Sequence, residues 1–319
     1  MSALRIVEAD DRRLERWDEH VENAVNGTLF HLRSFLGYHG DRFGGRERFL
    51  LVLDGDTVLA QLPAAIDEER VLRSPYGASY GGFAFQRQPT YAQAKELADV
   101  LVAWLREQRV ARAVITPPIG VCSELPLDVV AFALLAAGFE SVNRDVSSVV
   151  RLDPAVPTDQ TVTSRARNSA RKAERSGVTV ETRAALEDFW RALEATFERH
   201  GTAPTHTFAE FRDLAERLPD RIYADVAYHD GEPVAGVAYF VVNRRVNSSF
   251  YLAQDPDRQE LNGLTSCVLH GLERARQEGY RWFDFGTSTA QMQPRDNIFR
   301  FKEQFGSVGQ FRETFAWRA

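Results

Sequence analysis

Apolar and polar positions follow two rhythms along the chain. At residues 49–53, 57–66, 222–228 and 233–242 the apolar residues are consecutive or alternate, as in strands buried on one or both faces. Asp54-Gly55 separates the first two runs and Asp230-Gly231 the second two. An Asp-Gly pair between apolar runs supplies residues that tolerate positive φ, so each couple predicts a β-hairpin. A helical spacing of three and four takes over at residues 14–25, 91–108, 129–137, 186–199, 264–278 and 298–304. Residues 111–116, 248–251 and 280–285 read as further strands. Gly138-Phe139 and Phe305-Gly306 mark matching turns before a last strand in each half.

The order is therefore the same twice: helices, an antiparallel meander, then β-α-β-α-β. Between the two copies lies Asp153-Pro154-Ala155-Val156-Pro157-Thr158, where two prolines block both helix and central strand. This divides the chain into residues 1–152 and 158–319. The mixed order predicts an α/β (α+β) fold, each half a mixed central sheet flanked by helices, not a doubly wound one.

Composition adds limits. The 319 residues are 44% hydrophobic, enough for two cores, and the net charge is −6 with a pI near 5.7. Such a chain is no generic nucleic-acid binder, although a local basic patch is compatible with it. Cys122 and Cys267 lack a partner at zinc spacing and read as buried thiols. His200 and His206 flank a short loop without a set of carboxylates, so no metal site is expected. No Gly-x-Ser-x-Gly elbow appears. The first ten residues lack signal-peptide character and no apolar run approaches a membrane span, so a soluble, cytoplasmic protein is expected.

One basic patch stands out. Residues 164–177 carry five basic residues and one acidic residue. At about 100° per residue, Arg165, Asn168, Arg171, Lys172 and Arg175 share roughly a third of a helix circumference. Ala166, Ala170 and Ala173 lie on another face, suited to packing on a sheet. Ser164 is a candidate N-cap and Gly177 a candidate stop. A stripe nearly free of acids is either a solvated charged face or a surface for an anionic partner, such as the phosphates of tRNA, of a nucleotide-sugar acceptor or of CoA.

Three stretches of the second half resemble the Fem-type peptidyltransferases and their GNAT acetyltransferase-like relatives. They are Arg165-Ala166-Arg167-Asn168-Ser169-Ala170-Arg171-Lys172-Ala173, Phe283-Asp284-Phe285-Gly286-Thr287-Ser288, and Phe299-Arg300-Phe301-Lys302-Glu303-Gln304-Phe305-Gly306. The first half resembles the family more loosely, through residues 35–43 and 74–83, and no coiled-coil arm interrupts the second half. The resemblance implies two tandem GNAT-like halves, the first on the acceptor side, and amide formation from an activated acyl or aminoacyl group. It implies no bound cofactor: the donor is a co-substrate, aminoacyl-tRNA or acyl-CoA. The acceptor is an amine-bearing small molecule or a cell-wall (peptidoglycan) precursor.

It also suggests roles. Lys302 would stabilise an oxyanion. Asp284, among Trp282, Phe283 and Phe285, would be a general base or a loop cap. Tyr251 and Phe301 would orient substrate. Tyr76 and Tyr80, in the glycine-rich segment 73–82, would line the acceptor site or simply close a tight loop. Residues 255–264 correspond to the loop that cradles the CoA diphosphate in GNAT enzymes. Here the glycine pair is absent, and Asp255, Asp257 and Glu260 stand where phosphate would sit, which disfavours CoA at this loop. An acyl-CoA N-acetyltransferase and a non-catalytic binding module of the same fold are the alternatives.

Overall fold

The computed structural model describes residues 3–199 and 201–319; His200 lies outside the described residues. The chain forms two compact units. One holds the residues up to Val146 together with Gln291–Gln293 and Gln310–Ala319, and the other holds Ser147–Ala290 and Pro294–Gly309. The division thus falls ahead of the two prolines, inside the strand Glu140–Arg151. Most of the last strand, Val308–Arg318, belongs to the first unit although the order of elements assigns it to the second. The reason is pairing: Phe315 lies opposite Ile115 and Trp317 opposite Ala113, which covers the edge of the strand Arg112–Ile115.

The first unit is a mixed sheet with helices. Leu4–Glu8, a strand the apolar pattern does not reveal, pairs with Glu47–Asp54, which pairs with Thr57–Ile66, both antiparallel. Val71–Ser74 then runs antiparallel to the hairpin and parallel to Arg112–Ile115. The helical pattern at 14–25 breaks at Arg16 into Asp11–Glu15 and Trp17–Asn23. Trp17 is buried there and donates Nε1–H to the His31 carbonyl at 2.8 Å. Tyr91–Glu107 starts with a capping box of Thr90 and Gln93 and buries Ala94, Leu97, Ala98, Leu101 and Leu105, the predicted stripe.

The second unit repeats the plan. Ile222–His229 and Glu232–Asn243 form the predicted hairpin, with Asp230 at φ 52° and Gly231 at φ 80° in the turn. Val246–Gln254 adds antiparallel to the hairpin and parallel to Trp282–Thr287. Trp282–Thr287 in turn pairs antiparallel with residues 147–151. Leu186–Arg199 packs on one face of the hairpin, where Gly236 meets Phe189. Gly263–Gln277 packs on the other, where Gly271 lies against the buried Tyr239. A methyl group at 271 would land on the Tyr239 phenol oxygen, and that ring has no room to swing. Gly271→Ala is therefore expected to destabilise the protein by about 1–3 kcal/mol in urea unfolding.

Candidate active site

The second unit places the two predicted catalytic residues together. Lys302 lies on the helix Asp296–Glu303 and is only 4% exposed. Its ammonium donates to the carbonyls of Gly286 and Thr287, each at 2.8 Å, at the end of the strand Trp282–Thr287. An ammonium has three N–H donors, so one remains for another acceptor. Burial lowers the Lys302 pKa to about 8, against the opposing pull of Asp284; the nearby Arg295 cation lowers it further.

Asp284 is 2% exposed. Its Oδ1 accepts from the Ser147 hydroxyl at 2.7 Å and from the Gly286 amide at 2.8 Å. The second of these bonds holds the turn in which Gly286 takes φ +72°. Three further buried hydroxyls complete the surroundings. Ser248 donates to the Asp284 carbonyl at 2.8 Å, and Ser148 and Ser288 share a 2.7 Å bond. Sequence reasoning missed these serines. Serine is common, and only the register of Trp282–Thr287 against 147–151 brings Ser147 to Asp284 from 137 residues away.

The shape of the Lys302 segment has a packing cause. Phe305 is fully buried in the core of the second unit, and Phe301 packs edge-on against it at 5.2 Å. Gly306, at φ +77°, passes the Thr161 carbonyl so closely that a Cβ would approach it to 2.9 Å. Gln304 accepts from the Thr163 amide at 2.9 Å through its carbonyl. These contacts seat the start of the basic helix beside the end of the Lys302 helix.

That basic helix runs Ser164–Arg175. Its N-cap is Thr163, whose hydroxyl accepts from the Ala166 amide, one residue ahead of the expected Ser164. Gly177, at φ +84°, ends it as expected. Ala166 and Ala173 are buried, while Arg165, Asn168, Arg171, Lys172 and Arg175 are exposed. Arg167, off the stripe, is spent on the carbonyls of Asp159 and Val162. The stripe is thus a solvent-facing row of cations.

At 255–264 a short 3-10 segment, Pro256–Leu261, precedes the helix Gly263–Gln277. Two amides that a diphosphate would need are already taken: Asp255 Oδ1 accepts from Asp257 N, and Gln254 Oε1 accepts from Leu264 N at 3.2 Å. Gly263 packs tightly, its would-be Cβ 3.0 Å from Val234.

The tyrosines are less open than their sequence context suggests. Tyr251 is buried, and its phenol oxygen bonds the His206 amide and Nδ1, the latter at 2.8 Å. In the first unit Tyr76 and Tyr80 are also buried. Tyr76 packs edge-on against Phe43, and Arg312 lies 5.3 Å from the Tyr80 ring centre. Burial and the Glu47 carboxylate push the Tyr76 phenol well above its usual range. The segment that carries them is held by His31, a residue that no sequence pattern singles out. His31 Nε2–H donates to the Gly81 carbonyl at 3.1 Å, and the Thr28 hydroxyl donates to Nδ1 at 2.7 Å. Among the described residues no group of three or more His, Cys, Asp or Glu is placed to hold a metal ion. No described helix is long and apolar enough to cross a membrane.

Residues 161–303, the stretch that includes the basic helix, Asp284 and Lys302, match the family described as "Acetyltransferase (GNAT) domain". The crystal structure of FemX superposes with a TM-score of 0.72 at 14% identity, covering 99% of this chain and 97% of that one. The chain has a Fem-type, GNAT-like fold. Two other structures with this fold are similar over nearly their whole length. L-PGS from Bacillus licheniformis gives a TM-score of 0.59 at 15% identity, covering 98% of this chain and 92% of that one. A tandem GNAT protein from the clavulanic acid biosynthesis pathway gives 0.57 at 14%, covering 99% and 98%. No curated protein matches the sequence. The GNAT domain match and this fold together support acyl transfer as the class of chemistry.

Proposed function

We propose that the chain is a Fem-like N-acyltransferase that forms an amide from aminoacyl-tRNA and a substrate amine. The observation that carries this reading is Lys302, a desolvated ammonium fixed by two carbonyls with one N–H to spare, inside the match to a GNAT domain. The amine nitrogen attacks the ester carbonyl and a C–N bond forms. The carbonyl oxygen, now negative, takes the third N–H of Lys302. Collapse of the tetrahedral intermediate breaks the ester C–O bond, and the tRNA hydroxyl leaves with the proton given up by the amine. Asp284, its Oδ1 already engaged by Ser147 and Gly286, acts as a positioning residue: it fixes the turn that offers the two carbonyls and supplies Lys302 with a counter-charge. A water at the site relays the amine's proton to the leaving tRNA oxygen.

The exposed stripe of the basic helix is the proposed contact for donor phosphates. At low salt, a mixed aminoacyl-tRNA pool is expected to be retained on filters by the wild-type protein. Arg171→Glu combined with Lys172→Glu should weaken retention by about tenfold or more and flatten its salt dependence. Undiminished retention would remove the basic helix from the reading.

A second reading, acyl-CoA as donor, is favoured by the GNAT domain match itself. The filled amides of Asp257 and Leu264 weigh against it, because a helix N-terminus binds phosphate through free N–H groups.

A further inference from the structure

The first unit contains a cavity of about 300 Å³ that the transfer chemistry above does not use. The apolar part of its lining is formed chiefly by Phe83, Phe85, Ile115, Ile119, Val130 and Leu134. Phe311, 61% exposed, lines it too, with the Arg144 guanidinium 5.0 Å from its ring centre.

The polar groups on the lining decide what can enter. Asn26 is used up: its Nδ2 donates to the Phe83 carbonyl and its Oδ1 accepts from the Phe85 amide, both at 2.8 Å. Gln310 Oε1 accepts from the Val121 amide at 3.1 Å, and the Ser123 hydroxyl donates to the Leu125 carbonyl at 2.6 Å. Glu313 is paired with Arg144 at 2.6 Å. Asp128 is left: an exposed carboxylate on the lining with no hydrogen bond or ion pair among the described residues. No lysine or arginine lines the cavity.

We infer that this cavity is a binding site for a small apolar molecule carrying a protonated amine. The apolar body fills a volume at the lower end of the range of small-molecule sites. The ammonium sits toward Asp128, the one lining charge still without a partner. An anion of the same shape meets the Asp128 carboxylate and no lining cation, and binds more weakly. The site is independent of whether the second unit transfers acyl groups.

Titration calorimetry of the full chain with 2-phenylethylamine tests it, with phenylacetate as the anion of similar shape. The amine is expected to bind one to one, with phenylacetate at least fivefold weaker. Asp128→Asn should weaken the amine by about fivefold, the scale of an exposed charge pair. Ala131→Trp, which fills the cavity from the lining, should abolish binding, with thermal unfolding confirming that the variant is folded. No heat with the amine, equal binding of phenylacetate, or binding unchanged in Ala131→Trp would overturn the inference. Because nothing is transferred, failure of the acyltransferase reading leaves the result intact.

Discussion

Lys302→Met is expected to lower acyl transfer by at least about 100-fold, the loss that follows removal of one oxyanion donor. Its effect on stability should be much smaller, because two consequences oppose each other. The Gly286 and Thr287 carbonyls and Asp284 lose their cation, whereas the cost of burying an ammonium disappears. The net change should stay within about 2 kcal/mol, readable by urea unfolding. The pH profile separates catalysis from scaffolding. A cation with a pKa of about 8 is present below that pH and lost above it, so wild-type transfer should fall on the alkaline side with an apparent pKa near 8. A wild-type profile without that alkaline limb, or a Met variant that loses activity only because it unfolds, would reduce Lys302 to a structural clamp.

His31 should dominate the acid sensitivity of the first unit. Burial holds its pKa near 4, below the ordinary value of 6.5, so the native imidazole stays neutral while the unfolded one takes a proton. Stability is therefore fully present above pH 6.5, falls as the pH drops toward 4, and levels off below that. The fall amounts to roughly 3 kcal/mol. His31→Gln cannot titrate. It should be less stable at pH 7, having lost the fit between Thr28 and Gly81, yet lose about 3 kcal/mol less than wild type between pH 6.5 and 4. Urea unfolding at four pH values in that interval measures both slopes. Parallel slopes would show that His31 carries no such penalty.

Both hairpins and the long helices were legible in the sequence because they depend on local signals: Asp-Gly turns and apolar spacing. The return of the last strand to the first unit was not, because it depends on which strand edge needs a partner. The N-terminal strand Leu4–Glu8 was hidden by its half-exposed, mixed composition. At the candidate site, Asp284 and Lys302 were legible only through the family-like motif around them. Ser147 and His31 were invisible, since each acts through a partner far along the chain. Tyr76 and Tyr80 stood out because tyrosine and glycine crowd together there, and Tyr251 only through the family resemblance; all three rings are packed inside their units.

The most direct measurement is formation of base-stable label from radiolabelled donors mixed with a pool of primary amines, since mild alkali cleaves an aminoacyl ester but spares an amide. Labelled aminoacyl-tRNA is expected to give base-stable product with the wild-type chain and almost none with Lys302→Met, while labelled acetyl-CoA gives none. Base-stable product from acetyl-CoA with none from aminoacyl-tRNA would contradict the proposed donor.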